Sequence, residues 1–540
     1  MAHAEHAPVS VVVIGYDDAA HVVEAVRSAL AQGPAVREVI AVDDGSTDGS
    51  PALLDALAAA EPRLRVLRRA VNSGGCGTPR NDGLDACTTP FVMFLDSDDL
   101  LPPRAVERLL AAARDRDVEV VAGACVRREV PHGPDRPWQP RLYAPPAAPA
   151  TLARPAERPE LVRDTLCVNK LYRTGFLRAH GIRFPDGRFP YEDFVFGARV
   201  LAAGPRLALI PDVVYVWQVR RRAERLSISL DRAGIDNWRA RTTAHRTAVE
   251  VLRAAGQDAL AHAARAAFLD LSLRMYARDL GRRSPAYRTA WWMEARAHLE
   301  TFERAELEPA SGPGRLLAAV LLASPAPRDL DRVRELAARP ARLLPPYARD
   351  GDGTPVWSAK VPVPLDALLR RPLSALPLAV TAELRPGARR GGTRLRLRLH
   401  ELYGRVLAAG PLGAEVVFLD RRTGRPGLRH TVPFVSEPGS GTWVVDTGVP
   451  LGRLGAGTWD LRVRLRFADG GEREATAHAD TGPGLLRRRA VPDARHGVLL
   501  VQPYATHSGA LAVRVAHGPH GVLSVLKRRA VRLTGVRGGG

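Results

Sequence analysis

The 540-residue chain predicts an α/β fold: a Rossmann-like, mostly parallel sheet at residues 1–234, a helical linker region at 235–346, and an all-β, sandwich-like region at 355–540. Three observations carry this. Short β-branched runs alternate with helical stretches through the first 126 residues, apolar spacing of three and four dominates from about 235 to 345, and the period drops to two beyond it. A chain of this length exceeds what one core holds, so several domains are expected.

The N-terminal runs are Val9–Ile14, Val36–Val42, Leu64–Leu67, Phe91–Leu95 and Val118–Val126. Helical stretches lie near 19–32, 50–60, 79–87 and 103–115, several opened by Ser, Asp or Pro. Alternation at this pitch implies βαβ units, whose ligands sit beyond the carboxyl ends of the strands. Residues 131–160, rich in Pro and Ala, read as an irregular connection over the sheet. The 235–345 pattern is Ala- and Arg-rich, and Pro340, Pro345 and Pro346 followed by RDGDGTP mark a boundary. Beyond it TRLRLRLHEL, AEVVFLD, TWVVD and TWDLRVRLRF alternate apolar with polar or Arg between Gly/Pro turns, as antiparallel strands do; Val498–Leu533 reads as material for a second sandwich.

Composition narrows the function classes. At 46% hydrophobic and 25% charged the chain is ordinary for a globular protein, which excludes wholesale disorder. No apolar run is long enough to span a bilayer, and MAHAEHAPVS has neither the basic nor the apolar segment of a secretory signal. Cys76, Cys87, Cys125 and Cys167 form no CxxC pair, and the 15 histidines show no ligand spacing, so a cytosolic chain without a disulfide framework or zinc ribbon is expected. Net charge is +20, carried by 78 basic residues of which only three are lysine. It is unevenly spread. Residues 1–100 hold 7 Arg against 15 acids, a net of −8, while 351–540 hold 29 basic against 14 acidic residues, a net of +15. The acidic end fits a metal or nucleotide site, and the basic end a docking surface for a polyanion.

The strongest chemical signal is PFVMFLDSDDL (90–100), where an apolar strand runs into Asp96, Ser97, Asp98 and Asp99. Carboxylates so placed hold a hard divalent cation that grips a diphosphate; taken alone, the same residues also read as a helix cap with solvated acids. VIAVDDGSTDGS (39–50) repeats the pattern at Asp43-Asp44, where a carboxylate meets a base or ribose edge, or where an ordinary βα turn stands. In NSGGCGTPRNDGL (72–84) the glycines let backbone approach a ligand and Arg80 offers a planar donor fork. No GxGxxG loop occupies that position. Glu192-Asp193 open an apolar helix, Phe194–Leu201, as helix-dipole partners or as a general base. YVWQVRRRAERLSIS (215–229) ends an apolar strand in an Arg cluster, a diphosphate clamp or a solvated loop.

In order along residues 8–230, these motifs resemble the family 2 inverting glycosyltransferases with a GT-A fold. The resemblance implies a nucleotide-sugar donor, a uridine one by analogy, and a divalent cation, Mn²⁺ or Mg²⁺. It implies that Tyr16, Asp44 and Arg80 contact the nucleoside, that Asp96 and Asp98 form the Asp-x-Asp pair with Asp98 facing the metal, and that Asp193 is the catalytic base with Glu192 beside it. Arg220, Arg221 and Ser227 match a late diphosphate-binding loop. The first strand ends Ile14-Gly15-Tyr16-Asp17 where the family usually has Pro-x-Tyr-Asn. The layout of the whole chain resembles the cytosolic glycosyltransferases that decorate wall teichoic acid polyol-phosphate chains, which implies an anionic glycan or polyol-phosphate acceptor, work at the inner membrane face, and homo-oligomers through the C-terminal β region. A phosphodiester polymer suits the +15 of that region, since binding it releases counterions. The alternative is a basic scaffold for polyanion binding or oligomerisation, with a degenerate nucleotide-binding domain. Nucleic acid is not expected as a partner, because few aromatics interleave with the Arg residues.

Overall fold

A computed structural model describes residues 8–130, 133, 135–220, 232–387, 393–437, 439, 441–482, 485–506 and 508–518. The chain forms two compact units, Met1–Leu273 with Ser284–Ser311, and Arg274–Arg283 with Gly312–Gly540, so the helical stretch is shared between them. Among the described residues no helix is long and apolar enough to cross a membrane.

The first unit begins as read. Strands β1 (Val9–Gly15), β2 (Val36–Asp43), β3 (Leu64–Arg68), β4 (Phe91–Asp96) and β5 (Val120–Glu129) alternate with helices α1 (Val22–Leu30), α2 (Ser50–Ala60), α3 (Gly77–Ala86) and α4 (Ala105–Arg116). The helices bury the stripe their spacing predicts: α1 turns Val22, Ala25, Val26 and Ala29 inward. Downstream come β6 (Asp135–Trp138), α5 (Pro140–Tyr143), β7 (Ala150–Leu152), β8 (Lys170–Arg173), α6 (Thr174–Ala179), α7 (Glu192–Ala202), β9 (Leu207–Val219) and α8 (Ile235–Ala254).

These strands form one nine-stranded sheet in the order β3-β2-β1-β4-β8-β5-β9-β7, with β6 paired to β5. β8 runs antiparallel between β4 and β5, and β6 and β7 are also antiparallel; the rest are parallel. The order reverses across β1 and β4, which opens a crevice at their carboxyl ends. Residues 131–160 correct the expectation of an irregular connection, because they supply β6 and β7. Their prolines disguised them: Pro137 is tolerated where β6 pairs on one side only.

In the second unit a five-stranded sheet runs Val435–Glu437, Thr442–Val449, Thr393–His400, Val380–Arg385, Ala477–Ala479. A seven-stranded one is built around Pro411–Asp420, Gly457–Phe467, Leu511–His517 and Gly497–Ala505. Each has one apolar face: Leu395, Leu397 and Leu399 are buried while Arg394 before them is exposed and Arg396 and Arg398 between them are half-buried, and Leu461, Val463 and Leu465 alternate with Arg462 and Arg464. No second sandwich forms among the described residues. Leu511–His517 pairs directly with Gly457–Phe467 and so extends the first one, while 519–533 lie outside the described residues. The alternating arginines meet acids on other strands of their sheets, Arg394 with Asp446 (2.8 Å), Arg396 with Glu437 (2.8 Å) and Arg464 with Glu472 (3.5 Å). Part of the positive charge is thus compensated in place.

Helix α3 lies on β1 through Gly83, where an added Cβ would come 2.2 Å from Val12 Cγ1. Gly83→Ala is therefore expected to destabilise by about 1–3 kcal/mol through overpacking, seen as a lower melting temperature.

Candidate active site

Strand β4 is buried from Phe91 to Leu95 and surfaces at its last residue, Asp96. The three residues that follow split in direction. Asp99 turns inward, accepting from the Tyr215 hydroxyl (2.8 Å) and the Gln218 amide (2.7 Å), and burial followed by the charges of Asp98 and Asp96 raises its pKa well above the usual range. Ser97 donates from its hydroxyl to Asp18 Oδ2 (2.7 Å), and the other Asp18 oxygen meets His21 Nδ1 at 2.5 Å. Asp96 and Asp98 keep their side chains 33% and 42% exposed. Desolvation, Asp96 and Asp18 push the Asp98 carboxyl up to about 6, against the pull of Arg220. Arg220 donates to the Asp98 carbonyl oxygen (2.7 Å), and its Nη1 lies 3.7 Å from the carboxylate.

Arg80, on α3, is 3% exposed and reaches two carboxylates at once: Nη2 donates to Asp96 Oδ1 (2.6 Å), and Nη1 donates to Glu192 Oε1. Its plane also lies over the Phe184 ring at 5.3 Å. One guanidinium thereby joins the end of β4 to the start of α7. Glu192 is buried by this pairing. Asp193, next along the first turn of α7, has its carboxyl pushed up to about 8, by burial first and then by Glu192 and Asp96, with Arg80 and Arg241 opposing.

The approach to α7 explains the glycine motif. An added Cβ at Gly75 would stand 2.6 Å from the Gly187 carbonyl oxygen, and one at Gly77 2.0 Å from that of Pro185. These glycines admit the 185–189 backbone, which corrects the expectation that they admit a ligand. Asn81 pins the same loop, donating to the Phe184 carbonyl (3.0 Å) and accepting from the Phe184 amide (2.9 Å), while Thr78 accepts from the Gly187 amide (2.8 Å). Below it Phe184 stacks on Phe196 of α7 at 3.9 Å and meets Phe94 of β4 edge-on at 5.2 Å.

On the β2 side, Asp44 is buried and holds the loop beside it, accepting from the Ser73 hydroxyl (2.7 Å) and Asn72 Nδ2 (3.0 Å), with Arg69 Nε at 3.1 Å. Burial raises its pKa, and the bonds from Ser73 and the charge of Arg69 oppose the rise. Asp17 takes a positive φ of 48° and accepts from the Thr47 amide (2.7 Å), so its extra charge ties the β1 loop to the β2 loop. Tyr16 is half-buried at the end of β1.

Arg80 thus joins Asp96 to Glu192, with Asp193 beside Glu192, while Arg220 holds Asp98 two residues beyond Asp96. Asp44 stands at the end of β2, and Arg221 and Ser227 lie outside the described residues. Sequence reading missed Asp18, although an acid pair after a strand is the signal that marked Asp43-Asp44. It also missed Tyr215 and Gln218 of β9, which lie inside the 215–229 motif singled out for its arginines. Cys76 and Cys167 border this polar network and feel the charges of Arg80, Asp96 and Glu192, but Cys87, Cys125 and Cys167 are buried and desolvation raises the thiol pKa of all four. Among the described residues no three His, Cys, Asp or Glu side chains make a preformed metal cage. Asp96 and Asp98 still suit a cation that takes one or two carboxylates and fills its other positions from water and phosphate, because both are part-exposed and the field at Asp98 is strongly negative.

Residues 10–181 match the family described as Glycosyl transferase family 2. Similar proteins include succinoglycan biosynthesis protein ExoO of Rhizobium meliloti, 32% identical over 41% of this chain and 64% of its own. They also include the poly(ribitol-phosphate) β-N-acetylglucosaminyltransferase TarS of Staphylococcus aureus, 27% identical over 40% of this chain and 36% of its own, and the poly(ribitol-phosphate) β-glucosyltransferase of Bacillus spizizenii, 27% identical over 36% and 29%. The chain thus spans less than two thirds of each of these relatives. The crystal structure of S. aureus TarS shares the fold, with a TM-score of 0.52 and 16% identity over 94% of this chain and 85% of that one.

Arg80→Ala would leave Glu192 buried without its counter-ion. A loss of about 3 kcal/mol is expected, the lower end for a broken buried pair because Asp96 is part-exposed. Adding Glu192→Gln should recover part of it in thermal unfolding.

Proposed function

We propose that the protein is an inverting glycosyltransferase that moves a sugar from a nucleoside-diphosphate sugar, read as a uridine one, to an acceptor hydroxyl. One observation carries the reading. The Arg80 fork ties Asp96 to Glu192, which supports reading Asp98, two residues beyond the one, and Asp193, next to the other, as serving one site. Asp96 and Asp98 would hold a divalent cation, Mn²⁺ or Mg²⁺, which when bound supplies positive charge to the leaving diphosphate.

The chain's own residues supply the rest. Asp193 takes the acceptor proton as the hydroxyl oxygen forms its bond to the anomeric carbon, and the bond from that carbon to the diphosphate breaks on the opposite face. A single displacement leaves nothing covalent on the protein. Glu192 and Arg80 hold the base in place, Arg220 steadies Asp98, and Asp44 orders the loop that would border the nucleoside. Two relatives act, by their names, on poly(ribitol-phosphate), and this supports a polyol-phosphate or other anionic envelope polysaccharide as acceptor. The same reading takes the enzyme as cytosolic, working at the inner membrane face where nucleotide sugars are available, and as a homo-oligomer through its C-terminal β region, which sedimentation of the full chain would test.

Asp193→Asn should lower turnover by about 10²–10⁴-fold while donor binding stays near wild type; turnover at the wild-type rate would overturn the assignment. Asp98→Ala should lose the part of donor binding that depends on Mn²⁺, read by calorimetry with and without the ion. Because the Asp193 carboxyl is pushed up to about 8, its proton must leave before it can act, so kcat/KM should rise with pH and level off near that value. A profile already flat from pH 6 would exclude Asp193 as the base.

A further inference from the structure

Helix α8 brings a cation to the start of α7 that the sequence motifs do not include. Arg241 lies with its guanidinium carbon 4.8 Å from the Tyr191 ring and 4.9 Å from the Phe194 ring, the residues on either side of Glu192-Asp193. Its Nε donates to Ser272 Oγ at 2.8 Å. Ser272 is buried in Phe268–Leu273, a π-helical turn whose wider winding departs from the α-helix before it. Tyr191 carries a left-handed backbone, φ 63°, and its hydroxyl donates to Asn237 Oδ1 (2.9 Å), one turn before Arg241 on the same face of α8. A tyrosine pays a conformational cost in that region, so something must hold it there.

We propose that Arg241 is a positioning residue for Asp193: stacked on Tyr191 and Phe194 and anchored to Ser272, it fixes the first turn of α7 through contacts separate from those of Arg80. The inference rests on the reading of Asp193 as the base. Arg80 on α3 ties that turn to β4, and Arg241 on α8 ties it to the helices beyond the sheet. The charged and titratable groups facing Asp193 include Glu192 on its own helix, Arg80 on α3, Asp96 at the end of β4, Arg241 on α8, the Tyr172 hydroxyl on β8 and the Cys167 thiol. Arg241 also acts on the carboxyl itself, holding its pKa lower than the acids around it would.

The test uses the full chain with Arg241→Gln and Arg241→Lys. In Arg241→Gln, kcat should fall by about ten- to a hundredfold with donor KM unchanged, and the acidic limb of the pH profile should move to higher pH. Arg241→Lys should keep the limb in place yet remain slow, because an ammonium cannot reproduce the planar stack. Hydrogen exchange at the amides of 191–194 should quicken in both variants. Wild-type kcat and exchange, or a loss of donor binding in step with kcat, would overturn the proposal. If the wild-type protein transferred no sugar from any donor, the reading of Asp193 would fall, and exchange at 191–194 would still decide whether Arg241 holds the turn.

Discussion

A buried guanidinium between two carboxylates governs the carboxyl end of the N-terminal sheet. Arg80 is desolvated almost completely, and such a cation is tolerable only when anions complete its fork. Asp96 and Glu192 do so from segments nearly a hundred residues apart in sequence. Replacing a buried ion pair by well-packed apolar groups is often neutral or stabilising, so stability alone does not account for the arrangement. Its consequence is positional. The last residue of β4 and the first residue of α7 cannot drift apart without stranding a charge, and the residues just beyond them, Asp98 and Asp193, inherit that precision.

The rest of the first unit supports this linkage. Gly75 and Gly77 let the 185–189 loop lie against the start of α3, Thr78 and Asn81 pin it there, and the Phe94–Phe184–Phe196 cluster fills the space beneath. On the other flank Tyr215 and Gln218 from β9 pull Asp99 inward, so that within one short acidic run Asp99 becomes a buried buttress while Asp98 stays part-exposed. Burial first, and then repulsion among these acids, raises the pKa of Asp98 and Asp99. Arg220 relieves part of it from outside. The same field makes the crevice receptive to a cation.

The second unit shows how far net charge misleads. The basic strands looked like a continuous polyanion surface in sequence, because Arg alternates with Leu or Val in them. Pairing with Asp446, Glu437 and Glu472 on other strands of the same sheets sets part of that charge against local acids. Cross-strand neighbours are far apart in the chain, so no composition count sees them.

By itself the sequence determined the elements and their kind. Strands β1 to β4 and helices α1 to α4 follow its apolar periodicity to within a few residues, because a buried parallel strand and an amphipathic helix each need a local pattern. It also placed Asp44, Asp96, Asp98 and Asp193 at strand and helix ends, where carboxylates meet ligands. Tertiary structure decided what those residues touch. That Arg80 serves two carboxylates, that the glycines admit a loop, that 131–160 adds two edge strands, and that Asp18, Tyr215 and Arg241 join the site are all long-range facts. Their energies come from desolvation and pairing across the fold, which leave no periodic trace in the chain.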